Sequence, residues 1–141
     1  MKTQMKFLRL LTLAVTPMFI MAFMSAQDLK IGAPWDIPAK YKEMNNPYKG
    51  DASLDRIGKI TYNRHCKSCH GNVGHGDGVM TKTLKTFPGD LSNAEFHKYT
   101  DGEIYFMSII GRDEMPNYEK LIPSEEDRWA VVNYIRSLKK N

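Results

Sequence analysis

The chain has 141 residues, 42% of them hydrophobic, and a formal net charge of +4. This length suits one domain, and this apolar content excludes a chain that is disordered throughout. All residues after position 26 together hold 17 basic and 16 acidic side chains, so they carry almost no net charge and give no basis for nucleic-acid binding, which requires a clustered basic face.

Residues 1–26 carry the pattern of an export signal. Three basic side chains lie in the first nine positions, an apolar run covers residues 10–24, and the small residues Ser25 and Ala26 follow. This order is typical of a secretory signal peptide, so we predict cleavage after Ala26 and export to the bacterial periplasm. The alternative is a retained membrane anchor, although the run is shorter than the roughly 20 apolar residues of a span and Pro17 interrupts it.

Residues 27–53 are predicted to form an extended N-terminal arm. Prolines, asparagines and glycines recur in it, and no helical or alternating period runs through it, so we expect one short turn around residues 39–44. Trp35, Tyr41 and Tyr48 are too apolar for a solvated linker. The arm is therefore expected to pack either on its own domain or on a partner subunit.

A domain over residues 54–141 is predicted to begin with a helix. Four residues at steps of four share one face of that helix: Leu54, Gly58, Tyr62 and Cys66. The stretch GNVGHGDG follows, with four glycines in eight residues. It predicts a loop whose backbone approaches a neighbouring group closely.

Two further helices are predicted in the C-terminal half. Residues 101–111 have a capping residue, Thr100 or Asp101, followed by an apolar face and a final glycine. The other helix begins at Ser124, whose spacing to Asp127 resembles a capping box. No strand is predicted. The domain is expected to be small and all-α, with a thin apolar core that a bound group would fill.

The stretch RHCKSCHGN holds both cysteines of the chain, Cys66 and Cys69, and His70 follows directly. A dithiol redox pair, half of a zinc site and covalent haem attachment all use such a cluster. An oxidising compartment disfavours a free dithiol, and the sequence has no second ligand pair with the spacing of a closed zinc site. Thiols three apart on a helix can reach two points of one flat ligand. Covalent haem c, with His70 on its iron, is the favoured interpretation.

Methionine is the expected sixth ligand of the iron. Met115 lies in a predicted non-helical segment, and Pro116 keeps that segment out of helix. We therefore predict Met115 as the second axial ligand, with Met80 as the next candidate. Met107 is interpreted as a core residue, because it falls on the apolar face of its helix.

These pieces together resemble a class I, mono-haem c-type cytochrome of the exported bacterial kind, over about residues 54–138. In that family two helices pack against each other. The first helix contributes a glycine, an aromatic residue and a haem cysteine, which here are Gly58, Tyr62 and Cys66. The second contributes a basic, an aliphatic and an aromatic residue, which here are Arg128, Val131 and Tyr134. The resemblance implies a small all-α cytochrome c fold, with N- and C-terminal helices packed around covalently bound haem.

The sequence departs from that family at one point near the ligand histidine. Many members have a proline about a dozen residues after the histidine, and its carbonyl accepts a hydrogen bond from the second imidazole nitrogen. No proline stands there in this chain. The glycine loop or the segment around Pro88 is the expected substitute.

The predicted function is one-electron transfer between periplasmic or membrane redox partners, and not enzymatic catalysis. One alternative is a subunit of a larger oxidase or dehydrogenase, docked through the arm; a minor one is an open-site haem sensor or peroxidase. Contact with a membrane is expected only through a retained signal anchor or a partner complex. Four lysines are expected near the haem edge, as a docking face or as plain solvation: Lys67, Lys82, Lys85 and Lys98.

Overall fold

A computed structural model describes residues 32–140, so the predicted signal segment and the first residues of the arm lie outside the described residues. The α-helices of the described part are α1 (Ala39–Lys42), α2 (Asp55–His65), α3 (Lys67–His70), α4 (Asp101–Tyr105) and α5 (Glu125–Ser137). Single turns of 3-10 helix lie at Ala52–Leu54, Thr81–Thr83 and Phe96–Lys98, and a π-helical turn at Phe106–Ile110 continues α4. Among residues 32–140 the structure has no strand, which agrees with the predicted all-α fold.

The two longest helices, α2 and α5, pack against each other and form the centre of the fold. Gly58 makes their close approach possible, because a methyl group at that position would overlap the backbone carbonyl of Ala130. One turn further on, the rings of Tyr62 and Tyr134 lie 5.0 Å apart. The sequence-based pairing of these two helices is therefore present in the structure.

Side chains at the N-termini of α4 and α5 explain where these helices begin. The Thr100 hydroxyl accepts a hydrogen bond from the amide of Glu103, and the Glu103 carboxylate accepts one from the amide of Thr100. The Ser124 hydroxyl accepts from the amide of Asp127 at 3.2 Å. These contacts satisfy amides that have no partner within the helix.

The described part of the arm packs on its own domain. Ile37 is almost fully buried, and the Tyr41 ring lies 4.8 Å from the ring of Phe106. Further along, the amide group of Asn133 on α5 donates a 2.7 Å hydrogen bond to the carbonyl of Tyr48. The described part of the arm is therefore a packed layer over α4 and α5, and α1 is its α-helical turn.

Arg128 ties α5 to the irregular segment that precedes it. Its guanidinium donates hydrogen bonds to the carbonyls of Ile122 (2.7 Å), Pro123 (2.9 Å) and Glu119 (3.3 Å). It also donates to the Tyr105 hydroxyl at 3.3 Å. One side chain thus satisfies three backbone carbonyls that no helix or strand pairs.

None of the helices within residues 32–140 is long and apolar enough to span a membrane.

Candidate functional site

A cavity of about 830 Å³ lies beside α3 and the π-helical turn. This volume falls within the range of about 300–1,000 Å³ that is typical of ligand and cofactor sites. Cys66, Cys69, His70 and Met115 all line the cavity. The fold therefore brings together the four predicted site residues from two distant parts of the sequence.

The two cysteines and the histidine lie on one continuous helical path from α2 into α3. The amide of Cys66 donates to the carbonyl of Tyr62 at 2.8 Å, and the amide of His70 donates to the carbonyl of Cys66 at 2.9 Å. Burial, with a smaller contribution from Cys69, raises the pKa of the Cys66 thiol to about 12. A redox dithiol needs an accessible thiolate at neutral pH, so this environment does not suit one.

His70 is buried against the cavity, with 7% of its surface exposed. Burial lowers its pKa to about 4, so the imidazole is neutral at pH 7, and a neutral imidazole is the form that binds a metal ion. Its Nδ1 atom is buried and has no hydrogen-bond partner among the described residues. A neutral, buried imidazole in the cavity lining fits a ring that binds a group there.

His70 Nδ1 has no carbonyl partner among the described residues, which corrects the expectation that the glycine loop or the segment around Pro88 provides one. Neither the glycine loop nor the segment around Pro88 supplies a carbonyl to Nδ1. The glycine loop instead binds the helix end, where the amides of Gly76 and Gly78 donate to the carbonyls of His70 (3.0 Å) and Cys69 (3.1 Å). The loop therefore fixes the backbone at Cys69 and His70 and makes no hydrogen bond to Nδ1 of the imidazole.

The loop between Gly111 and Tyr118 presents Met115 to the cavity. A methyl group on Gly111, whose φ is 70°, would overlap the carbonyl oxygens of Met115 and Pro116, so only glycine fits there. The amide of Met115 donates to the carbonyl of Arg112 at 2.8 Å and closes a tight turn. The turn gives Met115 a defined position in a segment that is not helical.

The other candidate methionines and His65 have different surroundings. Met80 is 46% exposed and lies outside the cavity lining. Met107, interpreted from sequence as core, is buried and also lines the cavity. His65 is partly buried; its ring lies 5.7 Å from that of Tyr118, and both line the cavity.

Sequence reasoning missed the contribution of the arm to the site. Gly32, Ala33, Pro34 and Trp35 line the cavity. Arg112 holds this segment: its guanidinium donates to the carbonyls of Ala33 and Pro34, the latter at 2.8 Å, and lies 4.1 Å from the centre of the Trp35 ring. No local signal in the sequence pairs an arginine with carbonyls so far away along the chain.

Most of the lining is apolar or aromatic, and charged side chains are few. Of the four lysines expected near the haem edge, Lys85 lines the cavity, whereas the other three are exposed outside its lining. Apolar lining residues from three parts of the chain include Phe87, Leu91, Phe96, Ile104 and Ile135. The cavity thus combines two thiols, a neutral imidazole and a thioether with largely apolar walls, which is a donor set and setting that fit a haem iron.

Comparison with known protein families identifies a match over more than half of the chain. The family described as cytochrome c oxidase, cbb3-type, subunit III, matches residues 53–135 of the chain. The matched region covers more than half of the chain and contains Cys66, Cys69, His70 and Met115. Comparison with curated proteins finds no match.

Proposed function

Because the chain belongs to the family described as cytochrome c oxidase, cbb3-type, subunit III, we propose that it carries single electrons through one haem c. Membership confirms the predicted resemblance to c-type cytochromes and their all-α fold, and it implies covalently bound haem with iron. The observation that carries the proposal is the convergence of two thiols, His70 and Met115 on one largely apolar cavity.

Each site residue has a role in this proposal. Cys66 and Cys69 would hold the haem through thioether bonds, and His70 and Met115 would bind its iron. The bound haem supplies the one-electron chemistry. The protein fixes the ligand helix through the glycine loop, fixes the methionine through the turn at Arg112, and excludes water with apolar walls.

Met115→Leu is expected to remove the methionine ligand while keeping the volume of the side chain. The ferric protein should then lose the weak absorption band of methionine-ligated haem at the red end of the spectrum, and the reduced protein should bind carbon monoxide. Met107→Leu is the matched control, because Met107 lines the same cavity.

Two results of that experiment would overturn parts of the proposal. Loss of the band in Met107→Leu, with its retention in Met115→Leu, would move the ligand to Met107. Rapid carbon monoxide binding by the unaltered protein would instead favour the open-site sensor or peroxidase. A separate redox titration tests electron transfer itself. The absence of any reversible one-electron step in that titration would contradict it.

We place this electron transfer in the bacterial periplasm. The support is the export pattern of residues 1–26, together with the oxidising compartment in which c-type cytochromes are typically found. Redox proteins on either side of this carrier are its donor and acceptor. Membrane contact would come from a retained signal segment or from a partner complex.

A second candidate function is that of a subunit in a terminal oxidase, and the oxidase subunit after which the family is described favours it. In that case the protein should co-purify with catalytic oxidase subunits from detergent-solubilised membranes. Reversing the charge of two exposed lysines on α1, Lys40→Glu with Lys42→Glu, should weaken that co-purification if the arm is the docking surface. Lys59→Glu, on the exposed side of α2, is the control. If the protein elutes without oxidase subunits, the subunit role is contradicted, and the role of a free electron carrier stands.

A further inference from the structure

Glu114, which directly precedes the proposed methionine ligand, joins two walls of the cavity. Its carboxylate accepts hydrogen bonds from the backbone amides of Lys85 (3.0 Å) and Thr86 (3.1 Å). It also accepts one from the Thr86 hydroxyl at 3.0 Å. All three residues line the cavity. We call this set of contacts the Glu114 bridge.

The geometry of the Glu114 bridge suits a carboxylate. Two consecutive backbone amides that point at one anion form a concave binding site for it, and the hydroxyl adds a third donor. A carboxylate is ionised at neutral pH, and hydrogen bonds to an ionised acceptor are about twice as strong as those between neutral groups. The bridge is therefore a specific attachment and not a chance contact of two exposed loops.

The backbone of the turn couples the bridge to Met115. The amide of Met115 donates to the carbonyl of Arg112, so Glu114 lies inside a closed turn of four residues. Arg112 attaches the start of the same turn to Pro34 of the arm at 2.8 Å. The turn is thus held at two points, to the arm on one side and to the segment at Lys85 on the other.

We propose that Glu114 is a positioning residue that keeps Met115 on the haem iron by bonding its turn to Lys85 and Thr86. This inference rests on the proposed function. Without the bridge, the turn remains attached only through Arg112 and the main chain, so the fraction of molecules in which the thioether leaves the iron rises. An incoming ligand such as carbon monoxide reports that fraction directly.

The test uses the complete haem protein and the variant Glu114→Ala. Its ferrous form should bind carbon monoxide about tenfold faster than the unaltered protein, since binding must wait for methionine to leave. Glu114→Gln keeps one acceptor oxygen in place and should restore part of the difference. Glu119→Ala is the matched control, because Glu119 is an exposed carboxylate near the same loop that contacts Asn117 instead.

Further measurements keep the inference separate from the proposed function. If the unaltered protein has the methionine band and Glu114→Ala binds carbon monoxide at the same rate, the inference is wrong and the proposed ligation stands. If the unaltered protein lacks the band, the proposed methionine ligation is wrong and the inference about Glu114 is overturned with it, while a reversible one-electron step would still support electron transfer. Should Glu114→Ala not fold, Thr86→Val removes only the hydroxyl donor, and about a threefold faster rate is expected. An unchanged rate in Thr86→Val would then count against the Glu114 bridge.

Discussion

The double variant Cys66→Ala with Cys69→Ala cannot attach haem covalently. When it is prepared without haem, we expect it to lose cooperative folding. The cavity beside the motif has a volume of about 830 Å³. Without haem the apolar walls of this cavity face water, and each 100 Å² of apolar surface left in water forfeits about 2.5 kcal/mol of burial free energy. Domains are stable by only about 5–15 kcal/mol in total. The missing haem is therefore enough to remove most or all of the stability.

The measurement is thermal unfolding followed by far-ultraviolet circular dichroism. The haem-free double variant should show a broad transition, or none, whereas the unaltered haem protein should unfold in one sharp transition. The single variant Cys69→Ala, which keeps one attachment point, is the control for removing a thiol alone. If the haem-free chain instead unfolds in a sharp transition, at a temperature close to that of the haem protein, the fold is stable without haem and the prediction is wrong.

Arg128→Met is expected to destabilise the protein by about 3 kcal/mol, with haem still bound. The variant keeps the apolar stem of the side chain and removes the donors that reach Ile122, Pro123 and Glu119. The contact to the Ile122 carbonyl is partly buried, and leaving that carbonyl without a donor costs about 1–3 kcal/mol, whereas the exposed contacts to Pro123 and Glu119 contribute less because water can replace them. The same segment follows Met115 along the chain, so its loosening should also accelerate carbon monoxide binding.

Chemical denaturation gives the free energy of unfolding for Arg128→Met. Arg128→Lys should recover less than half of the loss, because an ammonium group cannot reproduce the planar fork of donors. Arg56→Met is the control, since Arg56 is an exposed arginine on α2. Equal stability of Arg128→Met and Arg56→Met would mean that water replaces the guanidinium without cost.

The parts of the fold that local sequence spacing determines could be predicted. The step of four from Gly58 to Tyr62 to Cys66 fixes one helical face, and Gly58 indeed contacts the backbone of α5. The cap at Thr100 was also predictable, because a threonine followed by a glutamate three residues later satisfies orphan amides from both sides. Such signals depend only on residues within one or two turns of each other.

The contacts that shape the cavity could not be predicted in this way. Glu114 meets Lys85, and Arg112 meets Pro34, across long stretches of chain, and neither pair has a spacing that marks it. Nor does the sequence show that His70 Nδ1 lacks a carbonyl partner among the described residues, since that depends on the path of an entire loop. That Met115 lies in an irregular segment could be predicted from sequence, because Pro116 keeps that segment out of helix; its role as a ligand stays a prediction.

The packing of the arm has a consequence for the order of folding. The hydrogen bonds from Arg112 to Pro34 and from Asn133 to Tyr48 join residues 78 and 85 positions apart. Contacts of such separation pay a large loop-closure entropy and tend to form late, after local helices have formed. We therefore expect the arm to dock last. Until then the wall made by residues 32–35 is open, which leaves a time window in which the haem can enter and react with the thiols.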